Sequence, residues 1–261
     1  GKPIEEKKHE TPDNINWTEE IKNGPNENGF DYFYGISASL DMPPYIYIEN
    51  NRFIGQPTVT KGFPRKGVAH KDFEAIETMG VITDKTIDYI EKQDKRKPFF
   101  VYMSLTAPHT PIVPSKRFQG QSEVGLYGDF CMEVDWTVGQ VLDALKRKGV
   151  ADNTLVLFSA DNGCSKAALN KNFSNNMLLT PQTEGSTAHH PSYIFRGSKA
   201  DIWEGGHRVP LLALWPDKIK AGSKSDEIVC LTDFMETAAH MVDSKIPENA
   251  GEDSNSFLPA L

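Results

Sequence analysis

The chain has little of what several large classes of protein require. It has three cysteines in 261 residues, Cys131, Cys164 and Cys230, far apart and without C-x-x-C spacing. This excludes a disulfide framework and a thiolate zinc site. No apolar run approaches the roughly 18 residues of a membrane span, so no membrane partner is predicted. Basic residues number 28 against 36 acidic ones, a net charge of −8, which argues against a nucleic-acid partner.

The residue pattern divides the chain at Gly29. Residues 1–28 are charged and carry Pro, Gly and Asn with little aliphatic periodicity, which predicts a mobile polar lead-in. The aromatic cluster at 30–34 marks the start of a packed region that we expect to run through 29–261. The cysteine content suits a reducing or an oxidising compartment, so it does not fix the localisation.

Periodicity within the packed region predicts an α/β fold. Helical spacing of apolar residues covers 72–95, as one or two helices, and 127–148; another helix opens at Asp233, where Glu236 completes a capping box. Segments 98–105, 154–160 and 209–216 are apolar on both faces, as buried parallel strands are. The order strand, helix, strand from 98 to 160 predicts a right-handed crossover in a mostly parallel sheet flanked by helices.

Polar residues follow two of the predicted strands, and ligands bind beyond the carboxyl ends of such strands. His109 stands between two prolines after the first strand, while Asp161 and Asn162 follow the second. Carboxylate and amide oxygens suit Ca²⁺ or Mg²⁺ better than zinc. At this point Asp-Asn-Gly could equally be an ordinary turn, and His109 an ordinary loop histidine.

Two further segments carry candidate residues. Glu204 and Arg208 flank a pair of glycines, and we interpret them as a structural ion pair that supports a tight backbone feature. His190 lies in a long Asn-, Ser- and Thr-rich stretch at 163–198. Substrate contact is one interpretation of His190, and a solvated loop is the more common one.

Four collinear segments resemble the type I sulfatases, the formylglycine-dependent arylsulfatases of the alkaline-phosphatase-like superfamily. The similarity runs from Gly29 to Leu261, and the sequence of 39–45 resembles that of bacterial polysaccharide sulfatases. The segments are Gly29-Phe30-Asp31-Tyr32-Phe33-Tyr34-Gly35, Ala107-Pro108-His109-Thr110-Pro111, Ala160-Asp161-Asn162-Gly163, and Arg196-Gly197-Ser198-Lys199 through Glu204-Gly205-Gly206-His207-Arg208-Val209-Pro210.

The resemblance implies a fold, a reaction and a set of site residues. It implies a partial alkaline-phosphatase-like domain from a sulfuric ester hydrolase that uses Ca²⁺ and acts on a sulfated carbohydrate. Asp161 and Asn162 match two calcium ligands, His109 the histidine near the ester oxygen, and Lys199 the lysine that contacts the sulfate. His190 is retained as a candidate substrate contact. A periplasmic or extracellular location fits such a family.

The sequence also departs from the family pattern. The nucleophile is a Cys or Ser with Pro two residues later, and none of the three cysteines fits. The N-terminal Asp-Asp pair and a Lys-x-x-His segment are also missing. We therefore expect a fragment that lacks the first third of the catalytic domain, with its formylglycine, and a C-terminal domain. Such a fragment is expected to be inactive alone.

Two alternatives to the sulfatase hypothesis remain open. A phosphatase or phosphodiesterase of the same superfamily would show His in place of Asn162. A noncatalytic carbohydrate-binding relative would use the long stretch at 163–198 to hold a polyanion, against which the net charge of −8 weighs mildly.

Overall fold

The computed structural model describes residues 14–63, 65–165 and 190–261 and divides them into two compact units. The first unit comprises the described residues up to Ala144, together with Ser165 and His190–Ile194. The second unit comprises Leu145–Cys164 and Phe195–Leu261. The predicted packed region 29–261 is thus shared between both units.

Short antiparallel strands form the sheets of the first unit. β1 (Tyr34–Gly35), β2 (Ile48–Glu49) and β3 (Arg52–Phe53) form one sheet in that order. β4 (Val59–Gly62) and β5 (Lys66–Ala69) form a second, with Val59 opposite Ala69. Tyr45 adds a parallel bridge to Ala69, so the segment that precedes β2 is tied to β5.

Part of the predicted lead-in is packed. Ile15 and Trp17 are 6% and 7% exposed and form a core cluster with Ile46 and Val68. The Trp17 ring meets the ring of Phe53 edge-on at 5.0 Å. The predicted lead-in is therefore anchored at Ile15 and Trp17, while its extent over 1–28 stays a prediction. Residues 1–13 lie outside the described residues.

Two long helices confirm the helical periodicity. α1 (Thr78–Lys92) follows a 3₁₀ turn at Ala75–Glu77, and Gly80 does not interrupt it. α2 (Leu126–Lys148) ends in three cations, Lys146, Arg147 and Lys148, where cations interact favourably with the helix dipole. No helix among the described residues is long and apolar enough to cross a membrane.

The second unit is built around one pair of strands. β6 (Val156–Ser159) pairs antiparallel with β7 (Leu211–Leu214), with Val156 opposite Leu214 and Ser159 opposite Leu211. Pro210 precedes β7, where a missing N–H costs no ladder bond. A single helical turn, α3 (Glu204–His207), lies before β7, and α4 (Phe234–Met241) follows it.

The parallel crossover does not form among the described residues. β6 pairs only with the antiparallel β7, and 98–105 carries no strand. Phe100 and Tyr102 in that segment are 54% and 72% exposed. Leu212 in β7 is 61% exposed, although its segment was predicted to be buried. Two-sided apolarity shows which segment can be covered on both faces, but it contains no information on the strand that pairs with it.

The start of α4 also differs from its prediction. Asp233 does not form a capping box with Glu236; it is the N3 residue of a capping box whose N-cap is Cys230. Its Oδ2 accepts a hydrogen bond from the Cys230 N–H at 2.7 Å, and its Oδ1 accepts one from the Asn255 N–H at 2.9 Å. The carboxylate accepts from backbone donors on either side of α4 in the chain, and from none inside it.

Candidate active site

The turn after β6 presents two oxygen donors. Asp161, Asn162 and Gly163 form the bend that follows the strand, and Asp161 is exposed. No described residue donates a hydrogen bond to the Asp161 carboxylate. Asn162 Nδ2 donates to the Gly163 carbonyl oxygen at 3.2 Å, which leaves the Asn162 amide oxygen as an acceptor. One charged and one neutral oxygen donor therefore stand together at the end of the strand.

Backbone hydrogen bonds bring two other segments to this turn. The Gly163 N–H donates to the Gly206 carbonyl oxygen at 2.9 Å, and the Lys199 N–H donates to the Cys164 carbonyl oxygen at 2.8 Å. The Gly205 N–H donates to the Arg196 carbonyl oxygen at 2.8 Å. The backbone of Lys199 is therefore held against Cys164, which lies three residues after Asp161 in the sequence.

Glycines make this close approach possible. A Cβ on Gly163 would lie 1.9 Å from the Gly205 carbonyl oxygen, and one on Gly205 would lie 2.2 Å from that of Gly197. A Cβ on Gly206 would lie 2.1 Å from the carbonyl oxygen of Asp201. These distances are far inside van der Waals contact with backbone atoms that cannot rotate away. The three segments can pack as they do because these positions have no side chain.

Charged side chains brace the glycine turn from outside. Arg208 Nη1 donates to Glu204 Oε2 at 2.8 Å, and the Arg208 guanidinium lies 4.7 Å from the centre of the Phe195 ring. The Arg196 guanidinium lies 3.8 Å from the centre of the Trp203 ring. The predicted Glu204–Arg208 ion pair is confirmed, and its structural role stays an interpretation.

Lys199 differs from these arginines. Its side chain is half-buried, and its ammonium has no ion-pair or hydrogen-bond partner among the described residues. The adjacent Ser198 is buried, and both its N–H and its hydroxyl donate to Asp201 Oδ2, at 2.9 and 3.3 Å. The backbone around Lys199 is thus fixed while its charge remains available to an anion.

His109 belongs to the first unit, on a loop with cis peptide bonds at Ala107-Pro108 and Thr110-Pro111. Its Nδ1 lies 2.7 Å from the Thr110 carbonyl oxygen. A carbonyl oxygen can only accept, so Nδ1 carries the proton in this contact. The ring is 38% exposed, and Nε2 has no hydrogen-bond partner among the described residues. Nε2 is the atom free to exchange a proton with a ligand.

One residue near His109 had no role in the sequence analysis. Asp41 Oδ1 lies 3.9 Å from His109 Nδ1, and the Asp41 side chain is 14% exposed. Asp41 was part of the 39–45 segment that carried the family resemblance, but it is 68 positions from His109 and shares no motif with it. A signal that joins the two residues exists only in the folded chain.

The structure groups the predicted site residues by unit. Asp161, Asn162 and Lys199 meet in the second unit, whereas His109 and His190 belong to the first. His190 is exposed and its carbonyl oxygen accepts from the Tyr193 N–H at 2.7 Å. The convergence of His109 on Asp161 and the contact of His190 with a substrate stay predictions. Residues 166–189 of the long stretch lie outside the described residues.

Calcium fits the donor chemistry of the β6 turn in kind. Asp161 and Asn162 supply hard oxygens, and no described residue donates a hydrogen bond to either side-chain oxygen. Across 14–63, 65–165 and 190–261, no group of three or more His, Cys, Asp or Glu side chains could hold a metal ion. Two protein ligands are few for an ion that takes six to eight oxygens.

Comparisons with known proteins agree with the sequence motifs. The family model described as Sulfatase matches residues 7–244. The chain is 28% identical to an N-acetylgalactosamine-6-O-sulfatase of Bacteroides thetaiotaomicron, over 89% of this chain and 52% of that protein. It is 32% identical to steryl-sulfatase of Homo sapiens, over 69% of this chain and 29% of that protein.

A solved structure supports the same assignment. A protein described under the metabolism of multiple glycosaminoglycans by Bacteroides thetaiotaomicron matches 94% of this chain and 57% of its own, with a TM-score of 0.79 and 26% identity. The fold is therefore α/β and alkaline-phosphatase-like, as predicted. Because the family model matches most of this chain, residues 7–244, the chain belongs to the sulfatase family. It spans about half the length of the bacterial relative.

Proposed function

We propose that the chain is part of a sulfatase that hydrolyses a sulfate ester of a carbohydrate. Family membership supports a sulfuric ester hydrolase. The bacterial relative named for N-acetylgalactosamine 6-sulfate matches 89% of this chain, compared with 69% for steryl-sulfatase. Both names describe the sulfate ester of an alcohol, and the broader match favours a sugar alcohol.

The observation that carries this proposal is the glycine turn in the second unit. It brings the Asp161 and Asn162 turn to the backbone of Lys199; neither the oxygens of that turn nor the Lys199 ammonium has a side-chain partner within 14–63, 65–165 and 190–261. Asp161 is exposed and Lys199 is half-buried, so both charges are accessible to a ligand. Asp161 and Asn162 would hold Ca²⁺ together with ligands from elsewhere in the parent protein, and the ion would offset negative charge on the sulfate.

The residues of this chain have distinct roles in that reaction. Lys199 binds a sulfate oxygen as a cation, which opposes the charge that builds on the group during transfer. His109 donates the proton on Nε2 to the ester oxygen while the S–O bond breaks, so that the sugar leaves as a neutral alcohol. Since none of the three cysteines has Pro two residues later, we assign the formylglycine nucleophile to another segment of the parent protein.

Complementation tests the proposal. The chain is joined to the N-terminal portion of the Bacteroides thetaiotaomicron relative, with its cysteine matured to formylglycine, and assayed on N-acetylgalactosamine 6-sulfate. We expect the completed protein to hydrolyse the sulfate ester and the chain alone to show no turnover. General acid catalysis by His109 accelerates a reaction by only about 10² to 10⁴. A noncatalytic binder would give no turnover in either case.

Lys199→Ala provides the sharper result in the completed protein. We expect most of kcat/KM to be lost, while Lys224→Ala, at an exposed position of the same unit, should leave it unchanged. If Lys199→Ala kept kcat/KM within about threefold, equivalent to about 0.7 kcal/mol of transition-state stabilisation, Lys199 would lose its assigned role.

A further inference from the structure

Asp41 occupies a rigid position beside the His109 ring. Leu40 before it is 1% exposed, and Pro43 after it lies so close to β5 that a Cβ on Gly67 would be 2.1 Å from the Pro43 Cβ. The Tyr45 N–H then donates to the Val68 carbonyl oxygen at 2.8 Å. Contacts on both sides of Asp41 therefore fix the backbone that carries it.

The Asp41 carboxylate is itself held in place. The Ser39 hydroxyl donates to Oδ1, and Arg65 Nη2 lies 3.8 Å from Oδ2. The Arg65 side chain is 60% exposed, so solvent screens its attraction to the carboxylate. Oδ1, the oxygen that accepts from Ser39, is the one nearest His109.

Three oxygens lie near the same ring nitrogen. Nδ1 of His109 is 2.7 Å from the Thr110 carbonyl oxygen, 3.5 Å from the Thr110 hydroxyl and 3.9 Å from Asp41 Oδ1. The hydroxyl can donate or accept, whereas the carbonyl and the carboxylate can only accept and would repel the lone pair of an unprotonated Nδ1. The proton is therefore favoured on Nδ1, and the lone pair or the second proton is left on Nε2.

We propose that Asp41 is the positioning residue of His109: its carboxylate, together with the Thr110 carbonyl oxygen, holds the ring as the Nδ1–H tautomer and directs Nε2 to the ligand. The consequence for catalysis rests on the proposed function, but the ring orientation does not. Asp41 also places a negative charge beside the imidazolium that His109 must be when it donates the Nε2 proton. Asp41 acts through His109, with no contact to the sulfate ester assigned to it.

A second histidine of the same unit provides an internal control. His70 Nδ1 also lies 3.9 Å from a carboxylate, that of Asp72, whose side chain is 72% exposed. His70 Nδ1, however, accepts a hydrogen bond from the Asp72 N–H at 3.3 Å. His70 must then carry its proton on Nε2, the opposite tautomer from His109.

Long-range ¹H–¹⁵N NMR of the imidazole rings in the full chain tests the proposal, in spectra recorded at a pH above which the ¹⁵N shifts of both rings no longer change. His109→Gln and His70→Gln assign the two rings. We expect Nδ1–H for His109 and Nε2–H for His70 in one spectrum. Asp41→Ala should lower the ratio of Nδ1–H to Nε2–H in His109 at least threefold, and Asp72→Ala should not change it.

The outcomes separate the proposal from the proposed function. An Nε2–H tautomer of His109 in the unmodified chain would overturn the positioning role, as would a ratio unchanged in both Asp41→Ala and the nearly isosteric Asp41→Asn. In the completed enzyme, Asp41→Ala should lower kcat about tenfold or more and leave KM within about twofold, with partial rescue by Asp41→Glu. If His109→Ala kept full kcat, the acid role of His109 would fail while the tautomer result stood.

Discussion

Glu133 shows what burial does to a single carboxyl group in this chain. It lies on α2, is 2% exposed, and its Oε2 accepts a hydrogen bond from the Ser115 N–H at 2.9 Å. Desolvation raises the pKa of Glu133, and the hydrogen bonds from Ser115 and the charge of Arg117 oppose that rise only in part. The neutral carboxyl is therefore the form that the fold prefers.

Glu133→Gln should change how stability depends on pH. A raised folded-state pKa contributes stability that is present below the unfolded value, near 4.3, and lost as pH rises through the folded value. Glutamine keeps the acceptor for Ser115 and cannot ionise. From pH 4 to 7, urea unfolding should favour the variant increasingly, by about 1.4 kcal/mol for each unit of pKa elevation. A stability difference that is constant with pH would contradict this assignment.

Sequence motifs identified single residues better than their neighbours. Asp161 and Asn162 were singled out by their place after a predicted strand and Lys199 by the family resemblance, and the structure brings their segments together. The placement of Asp41 beside His109 could not be predicted, because it depends on how Pro43 packs against Gly67. Local sequence specifies the chemistry of a side chain, while tertiary packing specifies which side chains meet.

At the scale of elements, the glycine turn is the feature that the site depends on most directly. Gly163→Ala would place a Cβ 1.9 Å from the Gly205 carbonyl oxygen, so the backbone must move apart. We expect a loss of about 1–3 kcal/mol in unfolding free energy of the second unit, typical of overpacking.

Gly139→Ala is the matched control for that substitution. A Cβ on Gly139, inside α2, meets nothing within 4 Å, and alanine should stabilise the helix by about 0.5–1 kcal/mol. The two variants are compared by urea unfolding with amide hydrogen exchange to resolve the second unit. Equal effects of Gly163→Ala and Gly139→Ala would show that the turn tolerates a side chain.

The contact between α1 and α2 includes a buried pair of hydroxyls. Thr83 Oγ1 and Thr137 Oγ1 lie 3.1 Å apart, both residues are 0% exposed, and Thr83 donates to the Met79 carbonyl oxygen at 2.7 Å. Thr137 therefore donates to Thr83. Thr83→Val leaves a buried donor without its acceptor and should cost about 1–3 kcal/mol.

A double-mutant cycle isolates this hydrogen bond. Thr83→Val combined with Thr137→Val should cost less than the sum of the single changes, with a coupling of about 0.5–1.5 kcal/mol. Thr86, whose hydroxyl donates within α1 to Ile82, provides the control pair with Thr137. Additive costs for Thr83 and Thr137 would show that the two hydroxyls do not interact.

Helices were easier to predict than strand pairing for a physical reason. A helix satisfies its backbone within one segment, so the periodicity of 127–148 was enough to predict α2. A strand needs a partner from elsewhere in the chain. The partner of β6 is the antiparallel strand β7, which begins 55 residues later, at Leu211 rather than Val156. No local pattern in β6 identifies that partner.

At the scale of the whole molecule, large apolar side chains are exposed in a chain that matches only part of the length of its relatives. Tyr102, Leu212 and Ile228 are 72%, 61% and 95% exposed, and the chain spans 52% of the bacterial relative. Large apolar side chains exposed in several segments are typical of surfaces that other polypeptide covers. The candidate metal site is similarly sparse: the β6 turn offers two oxygen donors, and the described ranges contain no group of three or more His, Cys, Asp or Glu that could hold a metal ion.

Calcium binding should therefore be weak in this chain and strong in the completed protein. Two ligands, Asp161 and Asn162, leave most of the six to eight coordination positions of Ca²⁺ to water, so calorimetry with CaCl₂ should show a Kd no tighter than about 1 mM. Joining the N-terminal portion of the bacterial relative should tighten Kd at least tenfold, and Asp161→Ala should remove that gain. The exposed Asp226 of the same unit provides the control, since Asp226→Ala should leave Kd unchanged. If the chain alone bound Ca²⁺ with a micromolar Kd and Asp161→Ala abolished that binding, the β6 turn would already hold a complete site. If Asp161→Ala left such binding intact, calcium would bind elsewhere.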